Sequence, residues 1–183
     1  VADTALASDL NGGANGEDIE ALLATNGLSD LLVEKTATIG EKLSVRRFAK
    51  VTGDAVASYI HGGGRIGVVI AADGASDDAA KEALTNIAMQ VAAMNPPYLK
   101  REDVPAAVLD EEKKIILAQM AEDPKMANKP EQVKEKIAAG KVGKYYGENC
   151  LLEQAFVKEN KETVQSYVDG VAKAAGTTIA ITD

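Results

Sequence analysis

The sequence predicts an α+β fold, in which a small antiparallel sheet packs against helices and a helical hairpin forms a coiled-coil-like arm. The sheet is predicted by three apolar, β-branched runs, 45–51, 55–60 and 66–72, separated by two glycine-bearing turns. Such runs with short glycine turns are typical of a three-stranded antiparallel meander. The helices are predicted by apolar residues that recur at helical spacing on both sides of the meander.

Two helices are predicted before the meander. The segment 11–16 is rich in glycine and asparagine, which break regular structure. Asp18 then suits the N-cap of a helix, and Gly27 suits a left-handed residue that ends it. A further helix is predicted over 29–40.

A long helix is predicted after the meander, with Ser76 as its N-cap and Met94 near its end. Its apolar stripe follows the i, i+3, i+4, i+7 spacing of a buried helix face and consists of Leu84, Ile87, Ala88 and Val91. The segment 95–98, Asn-Pro-Pro-Tyr, stops the helix because the residue before a proline disfavours helical geometry. It predicts a fixed corner in the chain.

The region 99–147 is predicted to be the arm. Two helices, about 102–122 and 130–146, carry charges of both signs and only intermittent apolar residues. A narrow apolar seam of this kind favours a helical hairpin resembling an antiparallel coiled coil. Two helices packed on a common core remain the alternative.

The C-terminal region predicts a helix over 163–174 that ends at Gly176, followed by a strand over 177–182. Because no strand follows this one, its partners must come from elsewhere in the fold. We therefore divide the chain into a first core subdomain (1–98), the arm (99–147) and part of a second core subdomain (148–183), which looks cut short.

Composition narrows the choice of partners. The 183 residues carry 20 Lys and Arg against 28 Asp and Glu, a net charge of −8, which disfavours direct binding of nucleic acid. No apolar run approaches the roughly 20 residues needed to span a bilayer. Cys150 is the single cysteine, so no intrachain disulfide can form, and we expect a cytoplasmic protein.

The glycine-rich turn after His61 matches two motifs as strings. Gly62, Gly64 and Gly67 match the dinucleotide fingerprint, but that fingerprint needs a helix after it, whereas a β-prone run follows here. His61 with three glycines matches the oxyanion motif of esterases, but no G-x-S-x-G nucleophile motif or second histidine is present. We expect a hairpin turn, no cofactor, no metal site and no enzymatic activity.

Several longer stretches together resemble bacterial translation elongation factor Ts. They are YIHGGGRIGV, IAMxVAAMNPPYL, VPAxVL and CLLEQAFVK, within a match that runs in unbroken order from about residue 40 to 157. The resemblance implies two related core subdomains, each a small antiparallel sheet with helices, and a helical arm. It also implies a guanine nucleotide exchange factor for elongation factor Tu. Two family elements are missing: an N-terminal helical domain and a Thr-Asp-Phe-Val-Ala segment that wedges against the GTPase.

The resemblance also implies which residues contact the partner. Arg65, Ile66 and Gly67 correspond to a family contact with the GTPase, and His61 lies in the same turn. Gln90 occupies a position where some members have a histidine that touches the partner, and Met89 and Met94 flank it as adaptable contacts. Self-association without exchange activity, including a homodimer, is the alternative function. Without the wedge, we expect residual binding of elongation factor Tu but little exchange.

Overall fold

The computed structural model describes residues 1–13, 15–74, 76–127 and 129–183. It divides into two compact units, Val1–Thr52 and Gly53–Asp183. Helices alternate with small antiparallel sheets, which confirms the α+β class. The predicted divisions after residues 98 and 147 stay predictions.

Among its described residues, the first unit contains three helices: α1 (Ala2–Ala7), α2 (Ile19–Leu23) and α3 (Leu28–Ile39). Its small core consists of Ala5, Leu22 and Leu28. Gly27 and Gly40 adopt the left-handed conformation on either side of α3. Asp18 precedes α2 as predicted, but its carboxylate does not cap the helix. It accepts hydrogen bonds from the backbone N–H groups of Asn11 and Gly12 instead.

In the part of the second unit that the structure describes, helices and strands follow one another beside short 3₁₀ turns. In chain order they are β1 (Ala55–His61), β2 (Ile66–Asp73), α4 (Asp78–Met94), α5 (Ala106–Glu122), α6 (Pro124–Ala127), α7 (Glu131–Asn149), β3 (Ala155–Phe156), β4 (Glu159–Thr163), α8 (Val164–Ala175) and β5 (Ala180–Ile181).

The main sheet has the strand order β1-β2-β5, and both pairings are antiparallel. The predicted meander is therefore wrong in one strand, because segment 45–51 does not join this sheet. Its one bridge joins Ala49 to Gly12 within the first unit. The C-terminal segment occupies the edge of β2, where Ala71 exchanges backbone hydrogen bonds with Thr182 and Asp183. The prediction that the last strand finds its partner elsewhere is confirmed.

One face of the sheet packs on α4, and α8 packs on α4 in turn. The N-cap of α4 is Asp77 and not the predicted Ser76, since Asp77 Oδ1 accepts a 2.8 Å hydrogen bond from the Ala80 N–H. The helix ends as predicted at Asn95, which is left-handed. The buried members of this core include Ala55, Ile70, Ala72, Leu84, Ile87, Phe156, Val164 and Val168.

Helices α5 and α7 contact each other, and each follows a proline, Pro105 or Pro130. In α5 the buried residues are Ile116 and Met120, while no residue of Glu131–Asn149 is buried. The positions of α5 and α7 confirm the two helices predicted at about 102–122 and 130–146. The coiled-coil-like arm itself stays a prediction.

The C-terminal helix is predicted well, because Thr163 caps α8 and Gly176 ends it in the left-handed conformation. The short hairpin of β3 and β4 was not predicted. In the part of the chain that the structure describes, no helix is both long and apolar enough to cross a membrane.

Candidate functional site

The turn between β1 and β2 gathers four of the predicted site residues in one exposed segment: His61, Arg65, Ile66 and Gly67. The register of the two strands pairs His61 with Ile66 and Ile60 with Gly67, so the turn closes a regular hairpin. The backbone N–H of Arg65 donates a 3.1 Å hydrogen bond to the carbonyl oxygen of His61.

The three glycines of the turn supply backbone angles that other residues rarely adopt. Gly62, Gly63 and Gly64 have φ values of 60°, 68° and 95°. Glycine has no Cβ and takes positive φ without steric cost, so the triplet lets two strands join here. Because a strand and not a helix follows, no helix N-terminus is available to receive a pyrophosphate. The predicted hairpin turn is confirmed.

The side chains at this turn are open to solvent. Ile66 keeps 42% of its surface exposed, a large fraction for an apolar residue at the end of a strand. No atom lies within 4 Å of the position that a Cβ would take on Gly67. His61 Nδ1 lies 2.9 Å from the Tyr59 hydroxyl oxygen, and this hydrogen bond orients the imidazole ring. The turn can therefore present an apolar side chain, a guanidinium and open backbone to another molecule.

The three predicted residues on α4 divide into two groups. Met94 is half exposed, at 50%, and Met89 is half-buried. Gln90 is fully buried, and its side-chain amide bonds to the interior of the protein. Gln90 therefore has no surface open to a partner in this structure. The physical reason is that β3 covers this face of α4, and β3 had not been predicted.

A further apolar surface was not among the predicted site residues. Val56, Ile60 and Val69 lie on the face of the β1–β2 ladder opposite α4, and their exposed fractions are 43%, 71% and 51%. The alternation of side chains along a strand places them on one face. The signal that could have found them is that both faces of these strands are apolar in sequence.

Charged and nucleophilic groups elsewhere form no catalytic cluster in the described residues. Cys150 is buried, and burial is the main cause that raises the pKa of its thiol. Arg101 makes two hydrogen bonds with Glu153, of 2.7 and 2.6 Å, and lies over the Tyr146 ring. Among the described residues, no group of three or more His, Cys, Asp or Glu is arranged to hold a metal ion.

These features define an α+β chain whose predicted site is an exposed turn and not an enclosed pocket. The family model described as Elongation factor TS matches residues 1–182. Because the match covers nearly the whole chain, the chain belongs to the elongation factor Ts family. The resemblance carried by the glycine turn and the Asn-Pro-Pro-Tyr corner is thereby confirmed.

Individual relatives agree with this assignment. The chain is 42% identical over 181 residues to "Elongation factor Ts" of Trichlorobacter lovleyi. The aligned region covers 91% of this chain and 57% of the relative. The chain is 40% identical over 159 residues to that of Clostridium kluyveri, covering 85% and 51%. For the relative from Moorella thermoacetica, the identity is 42% over 168 residues, covering 88% and 81%. The chain thus spans about half the length of the first two relatives.

Proposed function

We propose that this chain is the core of a guanine nucleotide exchange factor that binds elongation factor Tu and promotes release of GDP. Membership of the elongation factor Ts family, together with the exposed turn from His61 to Gly67, carries this proposal. The proposal concerns protein–protein contact. It requires no bond making or breaking by this chain.

The turn is proposed as the main contact with the GTPase. Ile66 supplies apolar area, Arg65 supplies a guanidinium that can pair with a carboxylate, and Gly67 leaves the backbone open to close approach. Met94, at the end of α4, and Met89 are proposed as a second, adaptable contact. The net charge of −8 suits a basic patch on the partner better than a phosphate ligand.

The proposed mechanism is thermodynamic linkage. If the chain binds nucleotide-free elongation factor Tu more tightly than the GDP-bound form, reciprocity requires that the bound chain lowers the affinity of the GTPase for GDP by the same factor. Release then proceeds through a complex of chain, GTPase and nucleotide in which GDP is held less tightly.

Calorimetry with both forms of elongation factor Tu tests this proposal. We expect tighter binding to the nucleotide-free GTPase than to the GDP complex. Stopped-flow release of a fluorescent GDP analogue then measures exchange by this chain, where we expect only a small acceleration of release, and full-rate release would contradict that expectation. The ratio of the two affinities should equal the factor by which a saturating concentration of the chain lowers the affinity of elongation factor Tu for GDP. Equal affinity for the two forms would overturn the linkage, and no binding to either would overturn the proposed function.

Self-association is a second candidate function, supported by the exposed apolar face of Val56, Ile60 and Val69. A second copy of the chain could cover this face as a symmetric homodimer. Sedimentation velocity with and without elongation factor Tu separates the two functions. A dimer that persists alone and does not bind the GTPase would favour self-association.

A further inference from the structure

Two glutamine side chains lie completely inside the second unit. Gln90 on α4 has 0% of its surface exposed, and Gln154, just before β3, has 1%. A buried primary amide is costly unless its oxygen and its N–H groups all find partners. The partners of these two amides therefore show what the pair holds together.

Gln90 bonds to three groups on the segment that covers it. Its Oε1 accepts a 2.8 Å hydrogen bond from the backbone N–H of Val157. Its Nε2 donates to Gln154 Oε1 at 3.0 Å and to the carbonyl oxygen of Ala155 at 3.2 Å. The orientation of this amide is unambiguous, since one side faces a donor and the other faces two acceptors.

Gln154 continues the chain of hydrogen bonds toward α7. Its Nε2 donates a 2.9 Å hydrogen bond to the carbonyl oxygen of Glu148 in the last turn of α7. Its backbone carbonyl oxygen accepts from the N–H of Val164 at the start of α8. The two side-chain amides therefore connect α4, the β3 segment and the end of α7, and donation runs from Val157 through Gln90 and Gln154 to Glu148. The link to α8 uses the Gln154 backbone and does not depend on the amide.

We infer that Gln90 and Gln154 are positioning residues, which hold the β3–β4 hairpin and the end of α7 in a fixed place against α4. Gln90 acts on partner binding by placing the turn of α4 that leads to Met94, and not by touching the partner. This consequence for binding rests on the proposed function. The hydrogen-bond relay itself does not.

The surrounding charges are engaged elsewhere. The Glu148 carboxylate pairs with Lys144, the Glu153 carboxylate pairs with Arg101, and Lys158 donates to the side chain of Asn86. The relay therefore works between neutral amides and backbone groups. An ionised group introduced into it would find no cation in these contacts.

Hydrogen exchange tests the relay at a single amide. In Gln90→Ala the Val157 N–H loses its acceptor, and we expect its exchange to become about 10-fold faster. The backbone amides of the β1–β2 ladder exchange through global opening, so their exchange rates should not rise by the same factor as that of Val157. Gln132→Ala, on the exposed surface of α7, is the matched control. Unchanged exchange at Val157 in the Gln90 variant would overturn the inference.

The variant Gln154→Glu tests the direction of donation. An ionised carboxylate would face the Glu148 carbonyl oxygen, whereas the protonated acid can donate to it. The folded-state pKa of this carboxyl should therefore lie above the unfolded value of about 4.3. The stability of Gln154→Glu relative to the unsubstituted chain should be highest below about pH 4.3, the unfolded-state pKa. It should fall as the pH rises through the folded-state pKa. Gln132→Glu should show no such slope, and a pH-independent difference for Gln154→Glu would overturn the inference.

Binding of elongation factor Tu separates this inference from the proposed function. If the unsubstituted chain binds, Gln90→Ala should bind on the order of 10-fold more weakly while Gln132→Ala binds normally. Full affinity of the Gln90 variant, despite faster exchange at Val157, would overturn the positioning role. If the unsubstituted chain does not bind at all, the proposed function fails, and the exchange and pH experiments still decide whether the relay exists.

Discussion

Replacing Ile66 with alanine removes the apolar side chain that we propose the glycine turn presents to elongation factor Tu. Complete burial of an isoleucine side chain contributes about 1.5–3 kcal/mol. In the free chain 42% of Ile66 is still exposed, so a partner that covers it gains roughly 0.6–1.3 kcal/mol by this rule. At about 1.4 kcal/mol per tenfold change in affinity, Ile66→Ala should weaken binding to elongation factor Tu by roughly 3- to 9-fold.

Ile60→Ala is the matched control for this experiment. Ile60 is 71% exposed and lies on the opposite face of the same hairpin, among the residues proposed for self-association. By the same rule, the part already buried contributes roughly 0.9–1.7 kcal/mol to folding for Ile66 and roughly 0.4–0.9 kcal/mol for Ile60, so urea denaturation should show that both variants stay folded. Titration calorimetry against nucleotide-free elongation factor Tu should show a loss for Ile66→Ala only.

Two results would refute the reasoning. Unchanged affinity of Ile66→Ala would show that the partner does not cover this side chain. An equal loss for both variants would show that the two faces of the hairpin are not distinguished. If Ile60→Ala instead weakens a dimer in sedimentation velocity, the second candidate function gains support.

The remaining predictions concern the fold. Gly74 has φ +103°, and a Cβ there would lie 2.3 Å from the Thr178 carbonyl oxygen. Gly74→Ala should therefore lower the free energy of unfolding, measured by urea denaturation, by at least about 2 kcal/mol. Gly176→Ala, with φ +67° and no atom within 4 Å, should cost only about 1 kcal/mol, and equal costs would contradict the role of the clash. Leu84→Ala, at a fully buried position of α4, should lower the free energy of unfolding by about 2–5 kcal/mol, measured by thermal melting. The Cys150 thiol is buried and burial raises its pKa, so at pH 8 a disulfide reagent should label it far more slowly in the native chain than in urea; equal rates would contradict this.

Local signals predicted most of the helices correctly. The stripe on α4, the Asn95 stop and the Thr163–Gly176 bounds of α8 depend on residues close in sequence. The N-cap of α4 was predicted one residue too early, because Ser76 and Asp77 are both good N-cap residues. Only the geometry of the turn shows that Asp77 reaches the Ala80 N–H.

The candidate site was predicted in part for the same reason. The glycine turn is a local feature, and the residues His61 to Gly67 are exposed together in the structure. Gln90 was predicted as a contact because the family resemblance places it where some members have a histidine that touches the partner, and a resemblance of this kind does not show whether a side chain is buried. Its burial depends on β3, which lies 65 residues later in the chain.

The sequence by itself determined the α+β class, the hairpin at the glycine turn and membership of the elongation factor Ts family, since each rests on the order of residues within short segments. Tertiary structure alone decided which segment completes the sheet. Segment 45–51 has the composition of a strand, yet its Ala49 bridges to Gly12, and the third strand of the sheet is the C-terminal segment on the edge of β2. It also decided that Gln90 is buried, because a buried amide is stable only where groups distant in sequence supply its donors and acceptors.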